Sequence, residues 1–569
     1  MTHNYPEINP FDWSTVQPYV DQLLAAELTP GAVRDWLQKW SDLFAVLNEV
    51  EAQIYREITE NTADEEADAR FKHYVQIIHP EKAQAEQALK AKLLSVQGYE
   101  PTAETALILK RFQTESELFR AENIPLQTEL SLLGKQYDEI TGGLSFDWEG
   151  ESKTIPEVEL LLSDRDRSTR ERAWRLALDA YLAKREDLND LFFKMLPLRR
   201  QMAANAGFSD FRAYQWQVMA RFGYTPADAF TFHDAIEHEV VPLATEIYQT
   251  TARQLGLDKL RPWETDIGGP SQITVDPDDT PLHPFSAVSE LIDTTARIFN
   301  QVDPVLGGYF EAMRAGYLDL ASRPNKASGG YCEGFPVSGQ PYIFMNAVGS
   351  ADNVTTLLHE GGHAFHFAES IRNQPLLWNQ NGPMEFCEVA SMSMELLSSP
   401  YWTRDKGGFY SETDFKRAFT EQLQGSVLFL PYMAIVDSFQ HWLYVDAPDD
   451  IDAGDLDHKW SELWDRFLPG IDYSGLRAQK ETGWQRKLHI FHVPFYYIEY
   501  GLAQLGALQV WRNALQDQAK AVADYRRALA LGYTRPLPEL FAAAGAKFAF
   551  DRETVGELMA LVRERLEAL

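Results

Sequence analysis

Apolar residues recur at three- to four-residue spacing through most of this chain, and that period predicts helix. It is clear over residues 31–60 and 81–120, where apolar positions are interspersed with Glu, Gln, Lys and Ala. From Ser163 to Gly207 the same spacing puts Ala173, Leu176, Leu178, Tyr181, Leu188 and Leu191 on one buried face. Leu502 to Leu569 is helix-rich again, punctuated by Gly532, Pro536 and Pro538. Two places break the period. Leu144–Trp148 and Lys153–Ile155 flank Glu149-Gly150-Glu151-Ser152 and read as a short hairpin. Gly329 to Val348 carries a strand over Tyr342-Ile343-Phe344-Met345. The pattern predicts a large, mainly α protein. The hairpin sets the expected boundary near residue 150, dividing the chain into 1–150 and 151–569, and the Pro- and Asp-rich stretch from Gly268 to Pro284 is expected to be a long surface loop.

Composition narrows the class. At 569 residues, 45% hydrophobic and 12% aromatic, the chain can bury a sizeable core, which excludes disorder for its bulk. Its 84 acidic side chains outnumber 52 basic ones for a net charge of −32, so phosphate backbones and anionic lipid are repelled. The expectation is a protein with no nucleic-acid partner and no membrane partner. The start, Met1 to Glu7, lacks the basic and apolar regions of a secretory signal, and no apolar run approaches the ~18 residues of a membrane helix. Two cysteines, Cys332 and Cys387, fit a reducing compartment better than a disulfide framework. A soluble cytoplasmic protein is expected.

The sharpest chemical signal is His359-Glu360-Gly361-Gly362-His363. Asp352, after Gly349-Ser350, is an expected N-cap, and Val354, Leu357, Leu358, Phe365 and Ala368 make one apolar stripe. His359 and His363 then fall one turn apart on the polar side, separated by ~6 Å along the axis, where two imidazoles can converge on one zinc ion. Glu360, about 100° round the helix, falls beside the ion's open position rather than on it. Adjacent glycines cost a helix ~1 kcal/mol each, so a close backbone approach by a strand or a substrate is expected there. His366 lies ~10 Å along the axis from His359, too far for both to reach one ion. A third ligand from the next helix is expected, and Glu385 and Glu388 are both available on composition.

This set of residues resembles the thimet oligopeptidase/oligoendopeptidase F family of zinc metallopeptidases. The resemblance rests on H-E-x-G-H followed by Glu388-Val389-Ala390-Ser391. Upstream it extends through Gly330-Tyr331-Cys332 and Phe344-Met345-Asn346, and downstream to His492-Val493-Pro494-Phe495-Tyr496-Tyr497-Ile498-Glu499-Tyr500. It implies Glu388 as the third ligand and one zinc ion per chain. It further implies a mainly α, two-lobed helical ellipsoid with a deep substrate channel, a small β element beside the zinc-binding helix, and residues 1–150 in the channel wall. In the family a His and a Tyr five positions later stabilise the oxyanion, a role O–H and N–H donors suit. Counting from His492 reaches Tyr497; counting from His489 reaches Pro494, which cannot donate. His492 and Tyr497 are therefore the expected donors, with Tyr500 and Tyr496 as expected substrate contacts. Val493-Pro494-Phe495 stands where thimet-type members often carry a glycine pair, which places the resemblance nearer the bacterial oligoendopeptidase F branch.

The expected activity is that of a zinc-dependent endopeptidase on short oligopeptides, a metallopeptidase of the hydrolase class, with Glu360 as general base to the attacking water. The alternative is a zinc carboxypeptidase or dipeptidyl carboxypeptidase, which needs a cation for the terminal carboxylate; Arg323, Lys326, Arg486 and Lys487 are available. The expected partners are short peptide substrates. Cys332 and Cys387 read as small buried residues rather than nucleophiles.

Overall fold

The computed structural model describes residues 8–269, 272–275, 282–327 and 329–569, with only the backbone of Pro156, Glu159 and Leu160. Helices take 69% and strands 6%, so the protein is mainly α, as its apolar period predicts. The 81–120 stretch resolves into His79–Leu94 and Ala106–Leu118, because Gly98 at φ +74° and Pro101 cannot continue a helix between them. Likewise 163–207 becomes Arg167–Ala183 and Arg185–Asn205. Ala173, Leu178, Leu188 and Leu191 are buried, while Leu176 and Tyr181 sit half-buried at the rim of that face. The expected hairpin is present: Ser145–Trp148 pairs antiparallel with Glu151–Thr154. Both turn residues, Glu149 and Gly150, have positive φ, as a tight two-residue connection requires. Of the stretch expected as a loop, Pro270, Ser271 and 276–281 lie outside the described residues, as do Met1 to Glu7. Among the described residues no helix is long and apolar enough to cross a membrane.

Contacts divide the chain into two interleaved units. The first comprises Met1–Ser116, Leu282–Phe415 and Gly506–Phe548, and the second Glu117–Pro281, Lys416–Leu505 and Ala549–Leu569. The hairpin near residue 150 thus lies inside the second unit rather than at an edge of either.

In the first unit, strands β1 (Leu318–Ala321), β2 (Tyr331–Phe335) and β3 (Gln340–Ala347) form a sheet of order β1-β3-β2. β3 is parallel to β1 and antiparallel to β2. The helices that bear on function are α1 (Val33–Glu60), α2 (His79–Leu94), α3 (Val288–Val302), α4 (Ala351–Asn373), α5 (Met384–Ser398) and α6 (Gln518–Leu529). The sheet is covered on one face by α1, whose Ala52 packs with Phe335, Tyr342 and Phe344, and whose Thr59 lies 2.6 Å from the Tyr331 hydroxyl. On the other face α4 presses so close that a Cβ at Gly334 would stand 2.3 Å from the Phe367 ring. In the second unit, Phe192, Phe439, Trp484 and Phe491 form an aromatic stack, with Trp484 and Phe491 only 6° from parallel.

Candidate active site

Helix α4 begins at Ser350, not at Asp352. The Ser350 hydroxyl accepts from the Asn353 amide at 3.3 Å, while Asn353 Oδ1 accepts from the amides of Val348, Gly349 and Ser350. Ser350 and Asn353 thus form a reciprocal capping box, in which Ser350 rather than Asp352 is the N-cap. Val354, Leu357, Leu358, Phe365 and Ala368 are all buried, as the stripe predicts. Neither a strand nor a substrate requires the glycine pair. A Cβ on Gly361 would meet the Phe299 ring of α3 at 2.4 Å, and one on Gly362 would meet Ala390 O and Ser391 Cα of α5 at 2.5 Å. The glycines let α3 and α5 approach the turn that carries the histidines.

That approach brings Glu388 of α5 under both imidazoles. Glu388 Oε2 lies 3.4 Å from His359 Nε2 and 3.6 Å from His363 Nε2, and the three ligand atoms all fall within 4.8 Å of one another. Glu385, one turn earlier on α5, is buried but is not part of this convergent group. Ser391 donates its hydroxyl to Glu388 Oε2 at 3.0 Å. Glu395, two turns beyond Glu388, stands 2.6 Å from His359 Nδ1. A carboxylate only accepts, so Nδ1 carries a proton, and Nε2 is the ring nitrogen that faces Glu388. From the far side, α6 fixes the pair of helices. Tyr525 donates to Ala390 O at 2.8 Å, and Arg526 holds Glu369 of α4 at 2.8 Å and Asp303 at 3.3 Å.

The electrostatics favour a cation at the centre. Burial opposes charge on Glu388, yet the hydrogen bond from His359 and the adjacent His363 hold its carboxyl down at about 2. Burial likewise opposes protonation of His359, but Glu388 and Glu395 outweigh it and raise the imidazole well above its usual value. His363 is lowered to about 4 by burial, Glu388 opposing only in part, so it stays a neutral donor. Two neutralisable imidazoles and a carboxylate, half-buried and converging, match the His₂Glu donor set of catalytic zinc. The residues present fit the ion.

Glu360 is buried, and its Oε2 has no hydrogen-bond partner among the described residues. Burial pushes this carboxyl up to about 7; His359 opposes, while Glu388 and Glu395 add to the rise. A carboxyl at that value exchanges a proton readily near neutral pH. The Cys332 thiol is pushed well above its usual range by burial and the nearby Glu360, so it remains a thiol. Cys387 is buried, and its Sγ lies 3.3 Å from Asn381 Oδ1. His366 is buried against Phe386 with its ring lowered to about 3 by burial, outside the convergent group.

The downstream residues belong to the second unit. His492 is exposed; its Nε2 pairs with Asp138 at 2.9 Å and its ring lies edge-on to Tyr137. Tyr496, Tyr497 and Tyr500 gather around His489 instead, with ring centroids 6.1, 4.7 and 6.1 Å from it. The cause is Phe495, held at φ +69° after Pro494, which redirects the chain between the short helix Leu488–His492 and the helix Ile498–Ala514. Tyr497 is buried and accepts a hydrogen bond from Lys487 Nζ at 2.7 Å; burial lowers that amine to about 7. Of the other candidate cations, Arg323 and Lys326 are both paired with Asp319, and Arg486 donates to Gln479 O.

A mainly helical fold with an H-E-x-x-H helix crossed by a glutamate-bearing helix defines a metallopeptidase class, and the family model for peptidase family M3 matches residues 160–559. The chain belongs to that family. It is 23% identical over 261 residues to the oligoendopeptidase F homolog of Borreliella burgdorferi, covering 44% of this chain and 42% of that one. To oligopeptidase PepF of Bacillus subtilis it is 24% identical over 225 residues, covering 38% and 31%. These matches span less than half the length of either curated relative. The solved structure of PZ peptidase A with an inhibitor superposes with a TM-score of 0.86 at 23% identity over 100% of this chain and 99% of that one, which establishes the shared fold.

Proposed function

We propose that this protein is a zinc-dependent endopeptidase that hydrolyses short oligopeptides in the cytoplasm. The observation that carries the reading is the convergence of His359 Nε2, His363 Nε2 and Glu388 Oε2 beside the buried carboxyl of Glu360, whose Oε2 has no hydrogen-bond partner among the described residues. Held by those three ligands, one zinc ion would supply Lewis acidity, making a water acidic and polarising a carbonyl. The chain's own residues do the rest. Glu360 takes a proton from the attacking water at Oε2 and returns it to the leaving amine. Glu395 fixes the His359 tautomer and ring orientation, and Ser391 steadies Glu388. For the second unit the donor role is proposed at the level of residues. Tyr497 keeps it, and His489 takes the place of His492, whose Nε2 is engaged by Asp138. Tyr496 and Tyr500 remain proposed substrate contacts.

Internal rather than terminal cleavage is supported by the engagement of two of the four candidate cations: Arg323 and Lys326 share Asp319 as their ion-pair partner. The test has two parts. Glu360→Gln is expected to keep fold and bound zinc while losing most turnover of a quenched peptide, and near-normal turnover would remove Glu360 as the base. Mapping products from a peptide blocked at its C-terminus is expected to show internal cuts; complete resistance of the blocked peptide would favour the carboxypeptidase alternative.

A further inference from the structure

A cavity of about 690 Å³ opens in the first unit between α1, the turn Tyr74–Ile78, α2 and β2. It lies on the α1 face of the sheet. Cys332 faces the metal helix, and its neighbour Glu333 points the other way, as successive strand residues must. The walls are apolar and aromatic: Ile54, Tyr55, Phe71, Tyr74 and Val75. Tyr55 and Val75 remain 43% exposed, so the cavity is open to a ligand at that edge. Tyr74 donates its hydroxyl away to Leu47 O, leaving its ring to line the space.

The polar lining is unbalanced. Glu51 is occupied by Lys82 at 2.8 Å and His79 at 3.0 Å, and Lys82 is further held by Asn48 at 2.7 Å. Glu86 is paired with Lys90 at 3.1 Å. Glu333 has no such partner. Its Oε1 accepts only from the adjacent Gly334 amide at 3.1 Å, and among the described residues no cation pairs with it. Burial pushes its carboxyl up, and the charge on Glu51 adds to the rise. A half-buried carboxylate without a counter-charge is costly, and an incoming cation would relieve that cost. Aromatic faces beside it suit an ammonium group, and the volume falls within the range of small-ligand sites.

We propose that this cavity binds an alkylammonium group on an apolar stem, the nitrogen paired with Glu333 and the stem lying between Tyr55, Phe71 and Val75. Both a free diamine and the lysyl side chain of a peptide carry that chemistry. The proposal does not depend on the peptidase reading, since none of its residues is a metal ligand or the general base.

Isothermal titration of the zinc-loaded protein with cadaverine tests it. Saturable binding is expected, weakened roughly tenfold or more in Glu333→Gln, the usual effect of losing a charge-assisted hydrogen bond. The diol of the same length is expected not to bind. Tyr55→Ala, at the exposed edge, provides a second variant if Glu333→Gln folds poorly, and is also expected to weaken binding. A lysine-containing tripeptide blocked at both ends that displaces cadaverine identifies a peptide side chain as occupant; cadaverine that this tripeptide cannot displace identifies a free amine. Either result sustains the site. Cadaverine affinity unchanged in both variants, equal binding of the diol, or no saturable binding in the millimolar range overturns the proposal.

Discussion

Replacing Gly362 with alanine sets two effects of opposite sign against each other. Helix propensity alone predicts a gain of ~1 kcal/mol, because glycine costs about that much in a helix interior. The packing predicts a loss. The new Cβ would stand 2.5 Å from Ala390 O and Ser391 Cα, whereas ordinary contact begins at 3.4 Å, so α4 and α5 must part by about 1 Å. Both obstructing atoms are backbone, and neither can rotate aside. Overpacking of this kind costs ~1–3 kcal/mol, leaving a net destabilisation of up to about 2 kcal/mol. The larger consequence is for the metal. Gly362 adjoins His363, and Ala390 is two residues from Glu388, so a 1 Å separation exceeds by far the ~0.2 Å tolerance of metal–ligand distances. Zinc affinity should fall at least about tenfold. Urea denaturation of the metal-free protein reads the first effect, and competition with a coloured chelator reads the second. Gly425→Ala is the control, because that helical glycine has no atom within 4 Å of its added Cβ, and it should be neutral or slightly stabilising. If Gly362→Ala is as stable as the parent and binds zinc as tightly, the close approach of the two helices is not what the glycine serves.

Three other substitutions test neighbouring parts of the argument. Glu388→Ala should lose zinc to a chelator much more readily than Glu385→Ala, as measured by metal content after dialysis; equal retention would remove Glu388 from the ligand set. Tyr497→Phe should lower kcat by roughly 10²–10³ with little change in KM if its hydroxyl serves the oxyanion. In the same assay His489→Gln should cost more than His492→Gln, and the reverse order would restore the chain-spacing assignment. His366 titrates at about 3 when buried but near 6.5 in the unfolded chain, so its contribution to stability is complete above about pH 6.5 and drains away as pH falls toward 3. His366→Gln should therefore remove about 2 kcal/mol of the stability lost by metal-free protein between pH 6.5 and 5, and an unchanged pH slope would show that the histidine is not buried in its neutral form.

The parts of this structure that were legible in advance are those set by local periodicity. The apolar stripe of α4 and the one-turn spacing of His359 and His363 follow from 3.6 residues per turn and needed no tertiary information. Glu388 was one of two equal acids by composition, and only the family resemblance chose it. Glu395 was missed, although Glu388, Ser391 and Glu395 recur at three- and four-residue spacing as a polar row along one side of the helix, the pattern that could have revealed it. Ser350 was passed over for Asp352 because two capping residues stood one residue apart and the bond from Asn353 decides between them. The purpose of Gly361 and Gly362 was invisible, since Phe299 and Ala390 are distant in sequence. The gathering of Tyr496, Tyr497 and Tyr500 around His489 was not legible, because Pro494 and the left-handed Phe495 turn the chain between them.

The order in which the chain is laid down bears on when the His359, His363 and Glu388 group acquires its final support. The first unit draws its residues from three separated stretches, and α6, which pins α5 through Tyr525 and α4 through Arg526, comes from the last of them. A nascent chain that has emerged as far as Phe415 already carries His359, His363 and Glu388, but not the helix that braces them. At typical ribosomal rates the interval before Phe548 appears is on the order of ten seconds. Throughout that time the two helices that carry these residues lack the bracing contacts of α6. A chain truncated at Leu505 should therefore carry His359, His363 and Glu388 but retain added zinc less durably than the full chain.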